Sequence, residues 1–107
     1  MAMSRQYESK EPARDAVDAA PGPLVLEFGT PWCGYCQSAQ PLIERAFERH
    51  PGVRHLKVED GSGRPLGRSF GVKLWPTLVF LKDGRETARL VRPRKTADIA
   101  AALASIV

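Results

Sequence analysis

Both cysteines of this 107-residue chain fall inside one pentapeptide, Trp32-Cys33-Gly34-Tyr35-Cys36. Two thiols three positions apart can close and reopen a disulfide if the backbone between them turns tightly enough to meet the short Cα–Cα requirement of an S–S bond. The flanking residues supply that turn. An apolar run, Leu24-Val25-Leu26-Glu27-Phe28, precedes the pair, and a 3.6-residue apolar pattern at Ala39, Leu42, Ile43, Ala46 and Phe47 follows it. The pair therefore sits where a strand hands over to a helix. At that point unpaired N–H groups and the helix dipole favour an anion, so Cys33 is the thiolate nucleophile and Cys36, one turn on, is its partner.

Competing uses of two cysteines are weaker. A structural zinc site needs four ligands, and the chain offers only His50 and His55 besides, at a spacing unlike a compact finger. A site shared across a dimer needs a further assumption. An inert core role suits a helix start poorly. The expectation is a redox pair with no metal.

The chain is 43% hydrophobic and 26% charged, close to globular averages, and its length suits one domain spanning residues 1–107. No apolar stretch approaches the roughly 20 residues that span a bilayer, and the first residues lack the apolar core of a signal peptide. The expectation is a soluble cytoplasmic monomer with no membrane partner. In a reducing cytosol a lone cysteine pair is catalytic rather than structural. Net charge is +4 and uneven: residues 1–60 carry seven Lys/Arg against nine Asp/Glu, and residues 61–107 carry nine against three. No reading motif or aromatic stacking platform accompanies the basic half, so it reads as a solvated surface and not as a nucleic-acid site.

The pair must be positioned by the elements around it. Residues 1–7 read as frayed or as a short edge strand. Ser9 caps a helix over 9–19, stopped by Pro21-Gly22-Pro23. A buried strand over 24–29 leads into a helix over 34–49, through Pro41. Alternation predicts a strand over 53–59, with His55 an ordinary strand histidine, the alternative being a group that lies near Glu27 and modulates it. A short helix follows over 64–70, then a strand over 77–82, an Asp83-Gly84 hairpin and a returning strand over 85–92. Thr96 caps the last helix, whose apolar face carries Ile99, Leu103 and Ile106. The fold class is α/β, a central mixed sheet flanked by helices on both faces.

Four blocks together resemble the thioredoxin family: Val25-Leu26-Glu27-Phe28 running into the Cys33–Cys36 motif; Pro41, five residues after the second cysteine; Phe70-Gly71-Val72 followed by Pro76-Thr77-Leu78-Val79-Phe80; and Lys82-Asp83-Gly84. The resemblance implies a thioredoxin-like fold and a thiol–disulfide oxidoreductase that reduces protein disulfides. It also implies no cofactor beyond the redox-active disulfide Cys33–Cys36, protein disulfides as partners, and a reductase that recharges the dithiol. By the same resemblance Glu27 stands where the family usually has a buried aspartate and takes the proton from Cys36. Pro76 is cis, with the Trp75 backbone facing the substrate. Trp32, Gly34, Tyr35, Trp75, Pro76, Thr77 and Arg92 form the substrate-binding surface.

The chain departs from the family pattern at several of these positions. Tyr35 replaces the usual proline, and Gly34-Tyr35 resembles some bacterial disulfide isomerases. Gly29 replaces a bulky aromatic, and Trp75 replaces a small aliphatic residue and is expected to fill the space that Gly29 leaves. His55 falls where the family often has a lysine. Arg92-Pro93 falls where a glycine lines the substrate face. The alternatives are an oxidase or isomerase activity, and a non-enzymatic binding module on the same fold.

Overall fold

The computed structural model describes residues 3–107. Its elements are α1 (Arg14–Asp18), β1 (Pro23–Gly29), α2 (Gly34–Phe47), β2 (Arg54–Glu59), α3 (Pro65–Ser69), β3 (Thr77–Lys82), β4 (Arg85–Val91) and α4 (Thr96–Ala104). The sheet order is β2-β1-β3-β4. β1 pairs parallel with β2 and antiparallel with β3, and β4 closes the edge antiparallel to β3. This is the mixed sheet the sequence predicts.

β1 is the centre of the fold, with a strand on each side and helices over each face, so it reads as an apolar run and not an alternation. Its alternate residues nevertheless serve different layers. Leu24, Leu26 and Phe28 pack with Val17 of α1 and Leu66 of α3, along with Val58, Phe70, Val79 and Leu81. Val25 packs on the opposite side with Ala39, Ile43 and Phe47 of α2 and Ile99 and Leu103 of α4. Glu27 and Gly29 share Val25's parity and thus lie under α2.

The Asp83-Gly84 hairpin has positive φ at both residues, 52° and 79°, as a two-residue turn with the strand's own twist requires. Gly84 is also needed for space, since a Cβ there would lie 1.9 Å from the Asp18 carbonyl oxygen. The Asp83 carboxylate accepts the Gly22 N–H at 2.7 Å, so the turn is held against the entry to β1.

Two local expectations need correction, and a third is decided between its alternatives. The first helix runs only from Arg14 to Asp18, with no side-chain cap at Ala13. Pro12 disfavours helical geometry in the residue before it, and the Glu11 carboxylate accepts the Leu66 N–H at 3.0 Å instead. Thr96 is the first residue of α4 and not its cap; Lys95 caps without a side-chain bond. Of the segment expected to fray, Met1 and Ala2 lie outside the described residues. Tyr7 makes a parallel bridge to Lys57, and Glu8 N–H donates to the Lys57 carbonyl at 2.8 Å. The edge-strand alternative is the one adopted there.

Candidate redox site

Cys33 is the N-cap of α2, with extended backbone at φ −80°, ψ 120°. Its Sγ accepts the Cys36 N–H at 3.2 Å, taking one of the orphan donors of the first turn. Both cysteines are thiols. Cys33 is 8% exposed and Cys36 1%, so an incoming disulfide meets the first sulfur and not the second. Gly34 opens the helix with nothing within 4 Å of the place a Cβ would take, leaving the approach open. Burial, first of all, together with a hydrogen bond and charge from Cys33, pushes the Cys36 thiol up to about 12; a backbone hydrogen bond from Thr30 offsets part of this, and Glu27 adds to it.

Beneath the thiols lies a polar network whose hydrogen positions follow from its fixed members. Glu27 is 0% exposed, which rules out a side chain reaching back to solvent. The Ser4 backbone N–H can only donate, and it donates to His55 Nδ1 at 2.8 Å. His55 therefore carries its proton on Nε2 and gives it to Glu27 Oε1 at 2.9 Å. The Cys36 carbonyl can only accept, and takes the Gln40 amide N–H at 2.8 Å. The Lys57 ammonium can only donate, and reaches Gln40 Oε1 at 2.9 Å. Gln40 Nε2 thus also donates to Glu27 Oε2 at 2.8 Å, and Lys57 Nζ stands 3.9 Å from the same oxygen. Both Glu27 oxygens receive donors and a cation stands beside them, as a buried carboxylate needs.

His55 is therefore not an ordinary strand histidine, and the lysine near the buried acid is Lys57, two residues on. His55 is also committed to Ser4 and Glu27, which removes it from any cysteine-based metal site. Lys57, Gln40, Tyr7 and Asp60 escaped the sequence reading. Lys57 shares strand parity with Val53 and His55, and Gln40 lies one turn from Cys36. Those spacings were the available signal.

The outer rim is aromatic. Trp32 is 71% exposed and Tyr35 61%, so Trp32 is not part of the core. Trp75 meets Trp32 edge-on, ring centroids 5.7 Å apart, and its Nε1–H donates to Asp60 Oδ2 at 2.8 Å. Trp75 does not fill the space at Gly29. A Cβ on Gly29 would lie 2.5 Å from Cys36 Sγ and 3.1 Å from the Tyr7 hydroxyl, so those two groups occupy it. The Trp75–Pro76 bond is cis. Arg92, at φ 50°, stacks its guanidinium 3.9 Å over the Tyr35 ring and donates Nε–H to the Trp75 carbonyl at 2.8 Å. That carbonyl thus already has an internal partner. Thr77 is buried and donates its hydroxyl proton to the Leu74 carbonyl at 2.6 Å. It braces the Trp75–Pro76 segment and presents no side chain outward.

No described helix is long and apolar enough to cross a membrane. The family model described as thioredoxin matches residues 6–105. The solved structure of reduced thioredoxin 2 from Pseudomonas aeruginosa is 57% identical, with a TM-score of 0.86, over 96% of this chain and 95% of that one. Thioredoxin from Chlamydia muridarum is 37% identical over 80% of this chain and 82% of its own length. Human thioredoxin is 33% identical over 78% and 81%. Matches to the H-type thioredoxins of rice and tobacco span 59% and 57% of those proteins. The mixed sheet, the thiol pair at the helix start and these likenesses agree: the chain belongs to the thioredoxin family of thiol–disulfide oxidoreductases.

Proposed function

We propose that the chain reduces protein disulfides, with Cys33 as nucleophile and Cys36 as resolving thiol. The observation that carries this is the placement of the two sulfurs. Cys33 Sγ lies at the helix start with an N–H donor on it, and Cys36 is buried behind. The Cys33 thiolate attacks one sulfur of the substrate disulfide, forming a mixed disulfide and releasing the other sulfur as a thiolate. Cys36 then loses its proton toward Glu27, and its thiolate attacks Cys33 Sγ. The Cys33–Cys36 bond forms as the second substrate thiolate leaves, so two electrons have passed to the substrate. The cysteine pair itself carries the electrons, and a reductase of unassigned identity returns the dithiol.

Trp32, Gly34, Tyr35, Trp75 and Arg92 form the docking rim, and the buried Pro76 and Thr77 hold part of it in place. A reducing compartment such as the cytoplasm suits this direction of exchange. The chain acts as a monomer, with neither nucleic acid nor membrane as a partner.

Tyr35 in place of proline favours a second reading, that of an oxidase or isomerase. Equilibration with glutathione buffers, scored by thiol alkylation, separates the two. Interpolating between reference values for thioredoxin and protein disulfide isomerase gives about −230 to −260 mV. A value above about −200 mV would reject the reductase reading. A thiol count with and without reductant tests the binding-module alternative: reversible loss of both thiols without dimerisation excludes it.

A further inference from the structure

The N-terminal segment, placed outside the site by its sequence, reaches into it. The Ser4 N–H bonds His55, Tyr7 bridges Lys57, and Glu8 N–H bonds the Lys57 carbonyl. Arg5 pairs with Glu44 of α2. The segment is thereby laid along β2, and the Tyr7 ring lies under the Lys57 ammonium, 4.6 Å from Nζ. The Tyr7 hydroxyl is then driven inward to the gap that Gly29 leaves open. It and Cys36 Sγ both crowd the point where a Gly29 Cβ would stand.

That hydroxyl is buried and has no well-formed hydrogen bond among the described residues. A buried O–H left unpaired is costly and calls for an explanation. Its neighbour in the gap supplies one. A thiol is a weak acceptor, whereas a thiolate is a strong one. On the basis of the reductase reading above, we propose that Tyr7 is a positioning residue for resolution, its hydroxyl donating a hydrogen bond to the Cys36 thiolate as that thiolate attacks Cys33. Tyr7 keeps its proton throughout, and the proton lost by Cys36 goes to Glu27.

Cys36 is faced by Cys33 at the N-cap of α2, by Glu27 of β1 and by Tyr7 of the N-terminal segment, and Thr30 contributes a backbone bond. His55 and Lys57 of β2 act on Glu27 and Gln40. Glu27 and Cys33 oppose a negative charge on Cys36, whereas the Tyr7 hydroxyl, unpaired beside it in the gap, can donate to it. Burial, then the nearby Cys36 and Glu27, hold the Tyr7 hydroxyl well above its ordinary range. It therefore remains a donor wherever the enzyme works.

Tyr7→Phe removes the hydroxyl and keeps the ring under Lys57. Rapid-quench alkylation of the full chain reacting with a protein disulfide follows two phases, mixed-disulfide formation and resolution. Tyr7→Phe should leave the first phase unchanged and slow the second about tenfold at neutral pH, the effect of one hydrogen bond to a charged group. The pH profile of resolution should also move to higher pH, which a packing role would not cause. Unchanged resolution in Tyr7→Phe overturns the proposal, as does slow resolution in Tyr7→Leu alone, because the ring would then matter only as cover for Lys57. If a Cys36→Ser chain forms no mixed disulfide, the reductase reading fails instead, whatever Tyr7 does.

Discussion

The two sides of the Cys33–Cys36 pair are built differently. Inside, Glu27, His55, Gln40 and Lys57 form a closed set in which an obligate donor or acceptor fixes almost every polar atom. Outside, Trp32, Tyr35, Trp75 and Arg92 meet through ring edges and a stacked guanidinium, with few directional bonds. The inner side has one arrangement and serves one sulfur. The outer side is broad and tolerant, as suits a surface that must receive many disulfides for a short time. Proton handling and partner choice therefore rest on separate groups, and substitutions should separate them.

The largest effect lies at the boundary itself. Cys33→Ser should reduce disulfide reduction to background, whereas Cys36→Ser should accumulate mixed disulfides visible on non-reducing gels. Equal trapping by both variants would erase the distinction between an outward and an inward sulfur.

Next comes the inner set. Glu27→Leu leaves the Lys57 ammonium buried without its carboxylate and removes the acceptor from His55 and Gln40. Unfolding in denaturant should show a loss of about 3–5 kcal/mol, and adding Lys57→Met should recover much of it. A Glu27→Leu chain as stable as the parent would mean that the inner side is not the rigid one.

The outer rim should respond more mildly and in a different parameter. Trp75→Ala removes the contact to Trp32 and the bond to Asp60. KM for a protein disulfide should rise about tenfold, since anchors of this kind dominate small interfaces. The rate with a small, unstructured disulfide should change less than about twofold. Equal losses on both substrates would show the rim to be part of the chemistry.

The smallest effect is one of pH. The folded chain holds the Cys36 proton up to about 12, above its ordinary value near 9. The unfolded chain releases it first, so the folded state binds the extra proton between those values and its stability falls as pH rises through that window. Denaturant midpoints of the reduced protein should decline above about pH 9, less steeply in Cys36→Ala. An identical slope in the variant would place the alkaline sensitivity elsewhere.

Much of this was legible in the sequence because it rests on local rules. The strand-to-helix step at Cys33, the Asp83-Gly84 turn and the apolar parity of β1 are short-range signals. The inner network was half legible. Glu27 in an apolar run is conspicuous, but its partners come from three other segments, and only the parallel register of β1 with β2 brings His55 and Lys57 to its level. The first helix was overread because Ser9 and Pro12 satisfy the rules for a helix start, while Glu11 bonds to α3, a partner that lies 55 residues away. Tyr7 was missed for the same reason: a seven-residue lead looks unattached until the edge of β2 is there to receive it.

The edge contact between Trp32 and Trp75 has a practical consequence. The chain contains two tryptophans, and both stand at the mouth of the site, so its entire indole emission originates there. One ring is largely open to water and the other is tied to Asp60. A docking partner that covers Trp32 or parts the two rings changes the colour and yield of that light. The protein thus carries its own optical label at the place where substrates arrive, and substrate arrival can be followed on the unmodified chain.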